Sequence, residues 1–374
     1  MPEFRVISSG SISDLSTNSD VMRAPPTRPP LLAPHPTRIS DMTRYKSSVV
    51  ARAKNSPREL QLSTDILEHF ISHVMKVLVL GASGFIGLPA AQALVRAGHE
   101  VFGLTRSEEK GQFLAAEEII PIVGEVTSPE TWVHHIATLD AIIDAVGGSA
   151  DIRALSASLL AAVSAACASL RPAGAPKLAY IYTSGTWVHG DDRTNTVTDT
   201  TPCTQPAALV AWRVSQEQAV LANPHVNGIV VRPALLYGRT GSLLSPLFAA
   251  ARAAGDGEFT WAGRQGGRYA VVHTDDLAAL YLLVTERASL VGGRVFDAAN
   301  DMTESVDDVL GALARVSGAK GWAYTEPANL YEEALASTTL VRPYLARALL
   351  GWQPRKAGLV DGLSVYYAAW LAAQ

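Results

Sequence analysis

Lys76 to Gly87 reads Lys-Val-Leu-Val-Leu-Gly-Ala-Ser-Gly-Phe-Ile-Gly, and this stretch constrains the fold more than any other in the chain. The run Val77 to Leu80 has the composition of a strand buried on both faces, and it breaks at once into glycines. A helical pattern, Leu88 to Ala97, follows without a spacer. Strand, glycine turn and helix start in that order are the context of a dinucleotide-binding fingerprint. Gly81 is placed for the tight turn, Gly84 for approach of a pyrophosphate to the backbone, and Gly87 for close contact of helix and strand. Ser83, Phe85 and Ile86 fill the turn between them. The phosphates would lie on free N–H groups at the positive end of the helix.

From Met75 onward strand and helix patterns alternate, which predicts a parallel sheet covered on both faces. Strands are expected at Val77–Leu80, Val101–Leu104, Ile119–Val123, Ala141–Ala145, Leu178–Tyr182 and Gly228–Val231. The helices expected between them are Leu88–Ala97, Glu108–Ala116, Pro129–Ile136, Ile152–Leu170 and Ala207–Leu221. After Gly238 the pattern turns mostly helical, at Leu244–Ala254, Thr274–Arg287, Val306–Val316, Tyr331–Ala336, Val341–Leu350 and Val360–Ala373. A late strand is expected at Phe296–Ala299. The fold class is therefore α/β: a Rossmann-type doubly wound parallel sheet at 75–240, with a smaller, mostly helical substrate lobe at 241–374. Ligands of such sheets bind beyond the carboxyl ends of the strands.

Residues 1–74 differ from the rest. They are rich in Ser, Pro and Arg, with rigid breaks at Pro25-Pro26 and Pro29-Pro30 and little hydrophobic period before Leu60. Such a segment buries too little apolar surface to offset the entropy of ordering. It is expected to be a disordered or extraneous extension, with Met75 as the functional start. A targeting segment is the alternative, interrupted early by Glu3, Asp14 and Asp20. The net charge of −4 provides no electrostatic footprint for nucleic acid. The two cysteines, Cys167 and Cys203, have no metal-ligand spacing, so no metal is expected, and they suit a reduced cytoplasmic setting. Ala154–Leu170 is apolar but short and punctuated by serine, which predicts a buried helix rather than a membrane span.

Four stretches in the same order carry a resemblance. Gly81-Ala82-Ser83-Gly84-Phe85-Ile86-Gly87 resembles the G-x-x-G-x-x-G motif of extended and atypical short-chain dehydrogenases/reductases, which include epimerases, dehydratases and carbonyl reductases. Val231-Arg232-Pro233 with Tyr237-Gly238 is similar to that family's R-P-x-x-x-Y-G turn. His273-Thr274-Asp275-Asp276-Leu277-Ala278 is similar to its V-H-x-D-D-x-A segment, and Leu350-Gly351-Trp352-Gln353-Pro354 to its L-G-W-x-P. The resemblance implies a nicotinamide dinucleotide as cofactor and a small molecule as substrate. Relatives often dimerise through helices in the region of Ala154–Leu170, whose small residues suit close packing, so a homodimer is a further implication.

The second strand ends Leu104-Thr105-Arg106-Ser107. An acidic residue here would hold the ribose 2′-hydroxyl of NAD, whereas an arginine accommodates the 2′-phosphate of NADP. Arg106 points to NADP, helped by Thr105, Ser107 or Lys110, with NAD still open. Glu125 stands where the family often has an Asp near the adenine. Ala145, Val146 and Gly147 would run beneath the adenosine ribose. Asp144, on a buried strand end, needs a partner and reads as structural. Thr183 and Pro233 are expected to take part in binding the cofactor.

The chemistry of the family uses a Tyr-x-x-x-Lys pair with a Ser or Thr after the fifth strand. This chain has no Tyr between Tyr182 and Tyr237 and no Lys between Lys177 and Lys320. Aligning Glu217 with the Glu that often follows the pair puts Leu209 at the Tyr position and Arg213 at the Lys position. Arg213 suits the ribose but cannot titrate. In Thr183-Ser184-Gly185-Thr186-Trp187-Val188-His189-Gly190 the usual catalytic hydroxyl falls on Gly185, flanked by Ser184 and Thr186. These two are expected to bind a carbonyl oxygen. His189, Tyr237, a side chain of the lid, or water would supply the proton. Trp187, Trp212 and Trp261 are expected to line an apolar pocket, and Gly263–Arg268 forms a basic loop where relatives hold a diphosphate. Asp275 and Asp276 read as helix-start carboxylates. The resulting expectation is an NADP-dependent oxidoreductase, of carbonyl reductase, alcohol dehydrogenase or epimerase type, acting on a small apolar substrate. The alternative is a nucleotide-binding redox sensor, or a non-redox isomerase or lyase, on the same scaffold.

Overall fold

The computed structural model describes residues 74–148, 151–240 and 242–374. The extension expected at 1–74 lies, but for residue 74, outside the described residues. His73–Gln374 is one compact unit. At its centre is a sheet of seven strands, all parallel, labelled here β1 (Lys76–Leu80), β2 (Glu100–Thr105), β3 (Ile120–Val123), β4 (Ala141–Asp144), β5 (Leu178–Thr183), β6 (Val226–Pro233) and β7 (Val295–Ala298). Their order across the sheet is β7-β6-β5-β4-β1-β2-β3. The order reverses between β1 and β4, and a crevice opens at such a switch point.

The central strands are apolar throughout because helices cover both faces. On one face α1 (Gly87–Arg96) packs against α5 (Thr274–Glu286), with Ala90, Leu94, Leu277, Leu280 and Tyr281 in the shared core. On the other, α3 (Ile152–Leu170) buries Leu155, Leu159 and Val163 against Leu78, Leu80 and Tyr180, beside α4 (Trp212–Ala222). Helix α3 is long and apolar enough to cross a membrane, with a mean hydropathy of 1.5, yet one face of it is core. The remaining labelled helices are α2 (Glu108–Ala116), between β2 and β3, and α6 (Leu330–Ala336), in the lobe.

The segment after 240 both completes the sheet, through β7, and builds a lobe with its own core, including Leu247, Phe248, Trp261, Leu310 and Trp370. That lobe is less helical than its sequence pattern suggests. Glu258–Ala262 pairs in parallel with Gly321–Thr325, and Thr339–Val341 pairs with Asp192–Val197. Pro129–Ile136, expected to be one helix, is two short 3₁₀ turns meeting at the fully buried Trp132. Val341 ends a strand, and the helix that follows starts only at Leu345, beyond Pro343.

The four motifs explain their own residues. Gly81 has φ +79°, and a Cβ on Gly87 would stand 2.2 Å from the Gly81 carbonyl oxygen. Tyr237 packs edge-on against His273, and a Cβ on Gly238 would run into the same imidazole. The His273 ring accepts the Asp275 N–H and caps α5. Asp276 accepts the N–H groups of Arg355 and Lys356, while the Trp352 indole donates to the Asp276 carbonyl. Asp275 pairs with Arg239 and Lys356. Both carboxylates are structural.

Candidate active site

Beyond the carboxyl ends of β1, β2 and β4 lies a polar cavity of ≈ 330 Å³. Gly81, Ser83 and Gly84, after β1, and Ala145, Val146 and Gly147, after β4, line it. Thr105, Arg106, Lys110, Glu125, Val126 and Thr127 line it as well. Ser107 is on the helix side, where its Oγ accepts the Lys110 N–H and caps α2. Thr105 lines this cavity, and its Oγ1 is buried without a hydrogen-bond partner. Asp144 accepts the Tyr180 hydroxyl at 2.7 Å and the Val146 N–H at 3.2 Å. Burial nevertheless raises its pKa, against the pull of those bonds. It holds the β4 end in shape, as its sequence position suggested.

A second cavity, of ≈ 510 Å³, adjoins the first and shares Gly147 and Gly148 with it. Its walls are apolar: Ile86, Ile152, Leu209, Val210, Trp212 and Leu235 among them. Trp187, Leu243 and Tyr331 line it too. Ser184, Gly185, Thr186, Pro233 and Arg213 also face it. Ser184 Oγ is buried and unpartnered. Arg213 donates from Nη1 to the Tyr182 hydroxyl at 2.9 Å and to the Thr183 carbonyl at 3.0 Å, and its guanidinium lies 4.7 Å from the centre of the Trp212 ring. Burial pushes the Tyr182 phenol up to about 12, with Arg213 pulling the other way. Leu209 and Arg213, at the positions of the absent Tyr and Lys, thus lie together on the cavity wall.

The model of the NAD dependent epimerase/dehydratase family matches residues 77–299. The chain belongs to that family. Among curated relatives of this family member, a ketoreductase of Stigmatella aurantiaca is 28% identical over 288 residues, covering 74% of this chain and 82% of its own. It is named for 4-hydroxy-2-methyl-3-oxo-4-farnesyl-3,4-dihydroquinoline-1-oxide. An uncharacterised protein of Saccharomyces cerevisiae is 26% identical, over 79% of this chain and 99% of its own. Among solved structures, a dTDP-glucose 4,6-dehydratase of Bacillus anthracis in complex with NAD superposes with a TM-score of 0.65 at 16% identity, over 80% of this chain and 97% of that one. A human epimerase family protein with NADPH gives 0.62 at 18% identity, over 79% and 99%. These two share the fold.

The placement of residues within this epimerase/dehydratase fold corrects several expectations. His189 does not face the cavity. Its ring is buried, with Nε2 2.9 Å from Asp297 Oδ2 and Nδ1 beside Cys203. Burial works against a charged ring, but the hydrogen bond and charge of Asp297, with a contribution from Cys203, raise it to about 9. Asp297 also stands 3.6 Å from Arg232, which forks onto Glu217 at 2.6–3.2 Å. His189 therefore belongs to a buried ion network joining β6, β7 and α4. Tyr237 is also withdrawn from the cleft. Its hydroxyl donates to the Ala357 carbonyl and accepts from Asn300, and burial raises its pKa. Thr183 shares a hydrogen bond with the Tyr281 hydroxyl, and Phe85 gives its carbonyl to Thr274; neither side chain lines the cleft. Trp261 is in the lobe core, donating to Tyr269. The basic loop is engaged elsewhere: Arg268 holds Thr303, Arg264 faces Asp191, and Gly266 N–H reaches Asp307. Sequence reasoning missed Val210, Leu243 and Tyr331 as wall residues.

Proposed function

We propose that this protein is an NADP-dependent reductase of a small apolar ketone or aldehyde, and that it works without the Tyr-x-x-x-Lys pair. The observation that carries this reading is the junction at Gly147 and Gly148 between two unlike cavities. One is polar and holds Arg106, Lys110 and the unpartnered Thr105 hydroxyl; the other is apolar and holds the unpartnered Ser184 hydroxyl. A dinucleotide fits the first, because the Gly81 turn and the close approach of Gly87 leave its backbone open to phosphate. Arg106 and Lys110 receive the 2′-phosphate. When bound, the reduced nicotinamide supplies a hydride.

Ser184 donates its hydrogen bond to the carbonyl oxygen and polarises it. Arg213 holds the ribose as a permanent cation. Ile152, Leu209, Val210 and Trp212 exclude water and select an apolar partner. The likeness to a ketoreductase named for a farnesylated ring system supports an apolar ketone, and the NADPH of the human neighbour is compatible with this cofactor. The two free thiols fit a reducing cytoplasm.

Calorimetry with NADPH and NADH, followed by NADPH oxidation against a panel of aromatic and aliphatic carbonyls, tests the reading. Tight NADPH binding with turnover is expected. Arg106→Asp should weaken NADPH by about 10- to 100-fold, the worth of a charge-assisted hydrogen bond, and NADH much less. Equal losses would overturn the 2′-phosphate assignment. Leu209 at the Tyr position favours a second reading, a nucleotide sensor or non-redox enzyme. Tight binding with no turnover of any carbonyl is the result that reading expects.

A further inference from the structure

Reduction of a carbonyl takes one proton as well as one hydride, so the reading above is incomplete without a donor. Resting on that reading, we propose that Tyr331, on α6 of the lobe, donates the proton in place of the phenol that Leu209 has displaced.

Every other side chain considered for the role is committed elsewhere or chemically unsuited. His189 is buried against Asp297, and Tyr237 is held by Ala357 and Asn300. Arg213 does not deprotonate. Ser184 and Thr186 are hydroxyls with no side-chain titration near neutrality, suited to orienting an oxygen. Tyr331 is the only phenol or imidazole among the described residues lining the apolar cavity.

Its position fits the role. Helix α6 packs against Ala208–Val210, the turn that carries Leu209. The Tyr331 ring stands edge-on to Trp187, with centroids 6.2 Å apart and planes at 79°, three residues beyond Ser184. Its hydroxyl donates to the Leu243 carbonyl at 3.1 Å, at an exposed edge of the cleft. Because that bond lies at an exposed edge, a substrate oxygen can take the place of the Leu243 carbonyl and water can reach the phenol. A phenol is protonated around neutral pH, and burial raises its pKa further, which preserves the protonated form at some loss of acid strength.

In the proposed step a C–H bond forms as the carbonyl carbon takes the hydride, and the nicotinamide dinucleotide is oxidised. The C=O π pair moves to oxygen, which takes the proton from Tyr331 Oη. The tyrosinate regains a proton from water at the cleft edge.

The test compares the full-length protein with Tyr331→Phe and with Tyr331→Phe/Leu209→Tyr, using NADPH and a panel of aryl, alkyl and prenylated ketones. Tyr331→Phe is expected to lower kcat by 100-fold or more, within the usual range of about 10²–10⁴ for an acid–base group. NADPH affinity by calorimetry should not change, and Leu209→Tyr should restore activity. In the reverse direction, alcohol oxidation should rise with pH in the wild type and lose that dependence in the variant. A Tyr331→Phe protein with wild-type kcat would overturn the donor while leaving the reductase reading intact. So would a loss that accompanies weaker NADPH binding and is not rescued by Leu209→Tyr. A wild type that binds NADPH and reduces none of the ketones would overturn the reductase reading, and the donor with it.

Discussion

At the nucleotide end of the cleft the backbone makes the site, whereas at the apolar end side chains make it. Gly81, Gly84 and Gly87 work through the atoms they lack, and the geometry they permit follows from local sterics. Ser184, Arg213, Trp212 and Tyr331 come from the loop after β5, from α4 and from α6, so that end exists only after folding has joined distant segments. The contrast explains how one scaffold can keep its cofactor and lose its usual chemistry. Replacing a wall residue such as Leu209 leaves the glycine turn untouched.

Substitutions can break or sharpen this comparison. The largest effect is expected from Gly87→Ala, since its Cβ would meet backbone at 2.2 Å and neither partner can yield cheaply. Dinucleotide binding by calorimetry should be lost. Gly185→Ser, whose Cβ would stand at an ordinary 3.7 Å from the Pro233 carbonyl, should bind NADPH normally. If Gly87→Ala binds NADPH like the wild type, the backbone account of that end fails.

Next in size is Ser184→Ala, expected to lower kcat/KM by about 100-fold, near 2.7 kcal/mol, as loss of one oxyanion-type donor does. Thermal unfolding should be unchanged or raised, because the hydroxyl removed has no partner in the free protein. A lowered Tm with unaltered kinetics would reverse its assignment from cavity to framework.

The smallest effect concerns His189, which tests where site ends and scaffold begins. Its folded pKa of about 9 lies above the ordinary value of 6.5. The stability it contributes is therefore fully present below pH 6.5 and is lost as pH rises through 9, by about 2 kcal/mol between pH 7 and 9. Denaturant titrations should show that loss in the wild type, and His189→Gln should flatten it. A histidine acting in turnover would instead leave its mark on the pH–rate profile.

Much of the fold was legible because its signals are local. Glu108–Ala116 and Ile152–Leu170 begin and end where the hydrophobic period and flanking residues place them. The missed pairs, such as Glu258–Ala262 with Gly321–Thr325, are short strands whose partners are far along the chain, and no local period marks them. The site divides in the same way. The glycine turn and Arg106 could be placed from their neighbours alone. His189 and Tyr237 could not, since the groups that occupy them, Asp297 and Ala357, lie 108 and 120 residues away. A histidine or tyrosine in a motif looks reactive until its partner is known. Tyr331 drew no attention because it sits outside every motif.

The unpartnered Ser184 hydroxyl has a consequence for what the cleft admits. That hydroxyl is already shut away from water in the free protein, so a guest with an acceptor atom relieves a standing cost of about 1–3 kcal/mol and a guest without one leaves it in place. A hydrocarbon is thus disfavoured against its own ketone by roughly tenfold to more than a hundredfold before any bond changes. The apolar wall sets how oily a guest must be, and one oxygen on the opposite side decides whether it stays.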